Sequence, residues 1–186
     1  FLTIRRYLML VFAALVLLID GAQSHSHPVR SSAVAGWAYG FGQFLVGLYW
    51  VAYAFLVDPL EHAWQLPFIA IIFPGGLALF QLAACAVASR FWRGGYARVF
   101  LFATCYAAAE WLRGNILTGF PWNIPGYGWG GSLAVLQSVA FIGVYGLSLL
   151  TILFGASLEL LLYGPRAWRV PAALALLFAS MWIGGI

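Results

Sequence analysis

Glu110 and Arg113 stand three positions apart at the end of an apolar stretch, and the uncharged run "GNILTGFPWNIPGYGWGG" follows them. That spacing is one face of a helix, so the carboxylate and guanidinium can pair. Charged groups near a membrane core are costly unless they are paired or reach the interface. Two uses are open: an ion pair locking the helix end to the loop, or Arg113 turned toward a phosphate or carboxylate, which its forked donors suit. The loop carries Trp122, Tyr127 and Trp129, apolar bodies with polar tips that belong at headgroup level. Pro121 and Pro125 stiffen it, while its glycines permit tight turns. Such a loop suggests an ordered surface that meets lipid chains or a lipidated partner.

Other reactive side chains are few. All nine basic residues are Arg, so no amine side chain is available for catalysis. Cys85 and Cys105 sit in apolar runs and read as small core residues rather than a disulfide or metal site. His25 and His27 in "SHSHP" read as a solvated loop, and His62, near Asp58 and Glu61, has no evident serine partner. There is no G-x-S-x-G motif, which argues against an intramembrane hydrolase. No metal or cofactor is expected.

The elements that must position these residues are helices in lipid. The chain is 64% hydrophobic and 8% charged, with mean hydropathy +0.94. Soluble domains average roughly 25% charged residues, so most of this surface faces lipid. The prediction is an all-α, polytopic membrane helix bundle of six spans, at about 7–19, 33–57, 66–89, 97–112, 132–162 and 170–186. The Gly- and Pro-rich segment 113–131 cannot cross lipid as irregular backbone and is predicted at the interface or against other protein. Alternating the connections puts Arg30, Arg90, Arg93, Arg98, Arg166 and Arg169 on one side and Arg5, Arg6 and Arg113 on the other. The positive-inside rule makes the first group cytoplasmic and the loop outward-facing. Arg5 and Arg6 fall on the outer side against that rule. With the apolar run and "AQS" they also fit a signal peptide, but Asp20 and the five later spans favour a membrane helix. Clustered Arg between apolar runs speaks for membrane orientation, not nucleic acid.

In "GWAYGFGQFLVGLYW", Gly36 and Gly40 are placed for close helix packing. Tyr49, Trp50 and Tyr53 suit an aromatic belt. The polar residues Gln43, Gln81, Gln137 and Glu159 leave open a second reading as a small-molecule transporter, although no inverted repeat is visible. A structural membrane module without activity is a third reading.

The run "EWLRGNILTGFPWNIPGY" resembles the signature loop of bacterial apolipoprotein N-acyltransferases. Glu110, Trp111, Leu112, Arg113, Gly114, Leu117, Thr118, Gly119, Phe120, Pro121, Trp122, Gly126 and Tyr127 match that pattern in register. "GWAYGFGQFLVGLYWV" resembles the family's third membrane helix, and "LAVLQSVAFIGVYGLSLLT" the helix after the loop. The resemblance implies an eight-helix bundle with an outer nitrilase-like αββα domain between the seventh and eighth helices. The six spans would then be the family's second to seventh. Phe1 in place of Met, and Ile186 inside an apolar run, suggest a piece of a longer protein without the first helix, the αββα domain or the last helix.

By resemblance, the reaction moves an acyl chain from a phospholipid to a cysteine thiolate. It then moves from that thioester to the N-terminal amine of a diacylglyceryl-cysteine lipoprotein. The family's Glu, Lys and Cys triad lies in the αββα domain, so no residue here is expected to be catalytic. Trp50, Glu110, Arg113, Phe120, Trp122 and Tyr127 are expected to line or shape the lipid access, with Leu117, Thr118, Gly119, Pro121 and Gly126 as motif positions. The expected setting is the bacterial inner membrane, with loop 113–131 toward the periplasm and the protein a monomer. The expected partners are a phospholipid donor, a lipoprotein acceptor and membrane lipids, without nucleic acid.

Overall fold

The computed structural model describes residues 2–164 and 166–185, with side chains described from Met9 onward. The side chains of Arg5 and Arg6, and the last residue of the predicted span 170–186, therefore lie outside the described residues. Among the described residues there is no β-strand. Within the described residues nine α-helices follow one another: α1 Leu2–Ala22, α2 Pro28–Gly47, α3 Pro59–His62, α4 Leu66–Leu77, α5 Leu79–Arg90, α6 Ala97–Asn115, α7 Leu133–Leu136, α8 Val139–Ser157 and α9 Arg169–Gly184.

The breaks follow from residue chemistry. Proline opens α2 and α3, where its missing N–H would be unpaired in any case. Pro74, inside α4, precedes the break at Ala78 between α4 and α5. After Gly47 the chain turns by 47° into a tighter 3-10 stretch, Tyr49–Leu56. The predicted run 33–57 is thus a bent pair of helices. Gly143, at φ 66° and ψ 170°, breaks the start of α8, so the run 132–162 is also interrupted.

Two helical stretches are long and apolar enough to cross a bilayer, Pro59–Arg90 and Val139–Tyr163, and the bent pair beginning at Pro28 makes a third. Met9–Ala22 and Arg169–Gly184 are shorter apolar helices. α6 stands outside both sets and carries Arg98, Glu110 and Arg113, yet each of these charges is buried and ion-paired. The architecture is that of a helical membrane domain. Large apolar side chains such as Ile71, Ile72, Phe100, Phe141 and Leu176 point outward, as a lipid-facing surface requires.

The core lies where α1, α5, α6 and α8 meet. Phe12, Leu15, Val16 and Ile19 from α1 pack with Cys85, Phe102, Tyr106 and Ile152. The Phe12 and Tyr106 rings meet edge to face at 5.3 Å. α2 packs on α5 through the small residues expected from the sequence. A Cβ on Gly36 would stand 2.6 Å from the Gln81 carbonyl and 2.7 Å from Cys85 Sγ, so glycine is needed for the helices to approach this closely.

A polar cluster ties the arginine-rich end together. Arg98 donates from Nε and Nη2 to the two oxygens of Glu159, at 3.0 and 2.8 Å, and from Nη1 to Asp20 at 3.1 Å. Trp92 Nε1 also donates to Asp20, and the Arg98 guanidinium lies 4.3 Å from the Tyr163 ring centroid. Arg98 is therefore an internal tie between α1, α6 and the 3-10 stretch Leu158–Tyr163 that follows α8.

Candidate functional site

Helix α6 delivers Glu110 and Arg113 to one face, one turn apart, and both are buried. Arg113 Nη2 donates to Glu110 Oε2 at 2.6 Å, and Gln81 Nε2 donates to Glu110 Oε1 at 2.7 Å. Each carboxylate oxygen thus has a donor. Removing two charges from water is tolerable only when attraction and hydrogen bonds compensate; both Glu110 oxygens are satisfied here, while Arg113 Nε and Gln81 Oε1 are buried without a hydrogen-bond partner. The Arg113 guanidinium lies 4.8 Å from the Phe44 ring centroid, on α2.

Arg113 is also the anchor of the loop. Its Nη1 donates to the backbone carbonyls of Phe120 and Trp122. The Phe120 N–H donates back to the Arg113 carbonyl at 2.8 Å. To make this return the chain passes through Leu117, Thr118 and Gly119, all left-handed, at φ 54°, 73° and 76°. Only the glycine adopts that geometry without steric cost, so the turn stores strain that the Arg113 bonds offset. Asn123 is left-handed as well, and its carbonyl accepts from Gln43 Nε2 at 3.3 Å. The Tyr106 hydroxyl donates to Gln43 Oε1, which carries the anchoring back to α6.

The second half of the loop rests on α8. The Gly126 N–H donates to Ser148 Oγ at 2.9 Å, and a Cβ on Gly126 would meet the Val144 carbonyl at 2.7 Å. Trp129 Nε1 donates to Thr151 Oγ1, and the Trp129 ring stacks on Phe178 of α9 at 4.6 Å. Loop 113–131 is therefore fastened to α2, α6, α8 and α9.

The predicted site residues divide into two kinds. Glu110 and Arg113 are internal, and their pairing is the helix-to-loop lock rather than an open anion site. Trp50, Trp122 and Tyr127 are about half exposed, at 45%, 51% and 49%. Phe120 is half-buried beneath them and meets Phe73 edge to face at 5.1 Å. The Trp50 and Trp122 rings lie 5.4 Å apart, so an aromatic row runs Phe73, Phe120, Trp122, Trp50. Of the motif positions, Leu117 is 85% exposed at the strained turn, Thr118 and Pro121 are exposed, and Gly126 is buried.

Gln81, Gln43, Tyr106 and Phe44 complete the site, and the sequence reading did not assign them to it. Gln43 and Gln81 were visible only as rare polar residues in apolar runs; their partners lie 80 and 29 positions away. These glutamines bond to the loop and its lock, which is where intramembrane polar groups are expected when they do not line a path. Cys85 is buried and Cys105 partly so, both unpaired with each other. Among the described residues no group of three or more His, Cys, Asp or Glu side chains could hold a metal ion. What the site presents outward is an apolar, aromatic ledge.

Comparison with known proteins agrees with the loop motif. Residues 3–157 match the family model described as "Apolipoprotein N-acyltransferase N-terminal domain". A Rhodopseudomonas palustris protein named apolipoprotein N-acyltransferase is 44% identical over 185 residues, covering 96% of this chain and 34% of that protein. The Brucella melitensis protein of the same name is 42% identical, covering 93% of this chain and 33% of its own length. The Caulobacter vibrioides one is 39% identical, with 87% and 29% covered. The chain thus spans about a third of the length of the curated relatives it matches. The chain belongs to the apolipoprotein N-acyltransferase N-terminal domain family.

Proposed function

We propose that this family member is the membrane platform of an apolipoprotein N-acyltransferase. The full enzyme would move an acyl chain from a phospholipid, through a cysteine thioester, to the N-terminal amine of a diacylglyceryl-cysteine lipoprotein. The acyl-carrying cysteine and its Glu and Lys partners would not be among these 186 residues. The chain has no Lys, and both its cysteines sit within helices. Its part is to hold the reacting domain at the bilayer surface and to admit two lipid-bearing substrates from the side.

The observation that carries this reading is the Arg113 lock, which fixes an aromatic loop with Trp122 and Tyr127 half exposed and Trp50 packed beside Trp122. A rigid amphipathic ledge suits acyl chains at headgroup depth, since each ring offers an apolar face and a polar tip. Trp50, Phe120, Trp122 and Tyr127 would line the access, and Glu110 and Arg113 would shape it from beneath. The six spans would follow the helical runs, with α6 crossing because its charges are neutralised internally. Loop 113–131 would then face the periplasm and the five exposed arginines the cytoplasm, in a monomer in the inner membrane.

The test uses the full-length enzyme reconstituted with phospholipid and a diacylglyceryl lipopeptide. Trp122→Ala and Trp50→Ala should lower acyl transfer per folded molecule while leaving folding intact. A drop in protein abundance alone, with unchanged turnover of the folded fraction, would reduce these rings to packing.

A further inference from the structure

At the end of the bundle away from loop 113–131 there is a hollow, unconnected with the ledge. It has a volume of about 540 Å³ and is lined by Gly95, Tyr96, Arg98, Leu160, Tyr163, Gly164, Arg166 and Ala167. That volume lies within the roughly 300–1,000 Å³ of small-ligand sites. Leu160 and Ala167 give it apolar walls, and two tyrosines and two arginines give it polar ones. The Tyr96 hydroxyl reaches the Arg166 carbonyl across it at 3.5 Å.

The charge around it is one-sided. Asp20 and Glu159, the acidic groups at this end, are turned to Arg98, Trp92 and Tyr163. Arg30, Arg90, Arg93, Arg166 and Arg169 are all exposed. Among the described residues none of these five has an ion-pair partner. Arg166 lines its hollow together with Leu160 and two tyrosines, whereas the hollows that Arg30 lines are bounded by Ser26, His27 and Ser31 and are more open. Leu161 and Leu162, 54% and 70% exposed, follow the lining residue Leu160 in the chain, and Trp168 stands exposed after Ala167.

We propose that this hollow binds the phosphodiester headgroup of an anionic phospholipid, with Arg166 as the principal phosphate contact and the acyl chains lying along Leu161 and Leu162. Arg suits this role through its forked donors. Basic hollows between membrane helices on the arginine-rich side are where anionic headgroups bind. Arg98, fully engaged with two carboxylates, is the wall that keeps the hollow open. The site is separate from the acyl-transfer ledge and does not depend on the reading given to it.

The experiment takes the full-length protein in nanodiscs of phosphatidylethanolamine with a minor share of phosphatidylglycerol, and measures phosphatidylglycerol retained per protein after gentle extraction. Wild type should retain it in preference to phosphatidylethanolamine. Arg166→Gln, a surface change checked by an unaltered thermal midpoint, should retain about five-fold less, the ratio for one basic contact at a membrane surface. Arg30→Gln, at a separate open hollow of the same end, should behave as wild type. Equal retention by wild type and R166Q overturns the proposal. Equal loss in R30Q and R166Q overturns it in favour of general surface charge. Displacement of the lipid by excess glycerol phosphate overturns the lipid as occupant and leaves a soluble phosphate site.

Discussion

Arg113 Nη1 donates to the carbonyl of Trp122 at 2.9 Å, so a buried charge on a membrane helix holds the backbone of a half-exposed ring nine positions further along. The same guanidinium is neutralised by Glu110 at 2.6 Å. Fold and ledge are therefore coupled through one side chain, and that coupling can be tested.

Arg113→Gln leaves Glu110 buried without its charge partner, and such losses cost about 3–5 kcal/mol. The thermal midpoint of the full-length protein should fall, and amides of residues 117–123 should exchange faster than those of α1. Slow exchange in the loop of a folded R113Q protein would mean that Gln43, Ser148 and Thr151 hold it alone.

The approach of α2 to α5 supplies an internal control. Gly36→Ala puts a Cβ within 2.6 Å of backbone, whereas Gly42 has nothing within 4 Å. Overpacking of this kind costs about 1–3 kcal/mol. Thermal unfolding should separate G36A from wild type and leave G42A unchanged; equal effects would refute the tight α2–α5 contact.

Glu159→Gln should destabilise far more than Asp20→Asn. Glu159 is buried and meets Arg98 with both oxygens, while the Asp20 side chain is 32% exposed and can exchange its partner for water. About 3 kcal/mol or more is expected for the first and about 1 kcal/mol for the second. Midpoints compared in one detergent decide the order, and a reversed order would show that Asp20, through Trp92 and Tyr163, is the main tie.

Leu117→Gly removes a side chain that is 85% exposed and relieves a left-handed backbone. Stability should rise by up to about 1 kcal/mol. If Leu117 touches lipid beside the proposed access, the KM for the phospholipid donor should rise several-fold with kcat held. A stabilised variant with unaltered kinetics would mark the turn as purely architectural.

Much of this was legible from local pattern. The close-packing role of Gly36 and Gly40 and the pairing of Glu110 with Arg113 depend on residues a few positions apart, whereas the helix starts at Pro28 and Pro59 lie upstream of the predicted spans 33–57 and 66–89. The irregular loop was likewise readable, because five glycines and two prolines in 119–131 exclude a continuous helix. The interruption at Gly143 was not legible, since a single glycine in an apolar run is compatible with a helix and only the packing around it selects φ 66°.

The sequence by itself determined the solvent: 64% hydrophobic and 8% charged residues admit few ways to fold except helices among lipid. It also determined the family, through the residues from Glu110 to Tyr127. Tertiary structure alone decided which charges are free. Arg98 and Arg113 look in sequence like the other arginines, yet both are buried, with Glu159 brought to Arg98 from another element and Gln81 brought to Glu110, the partner of Arg113. The partners of Arg98 are set by helix packing in three dimensions, because a charge in lipid must find its counter-ion wherever the bundle places one.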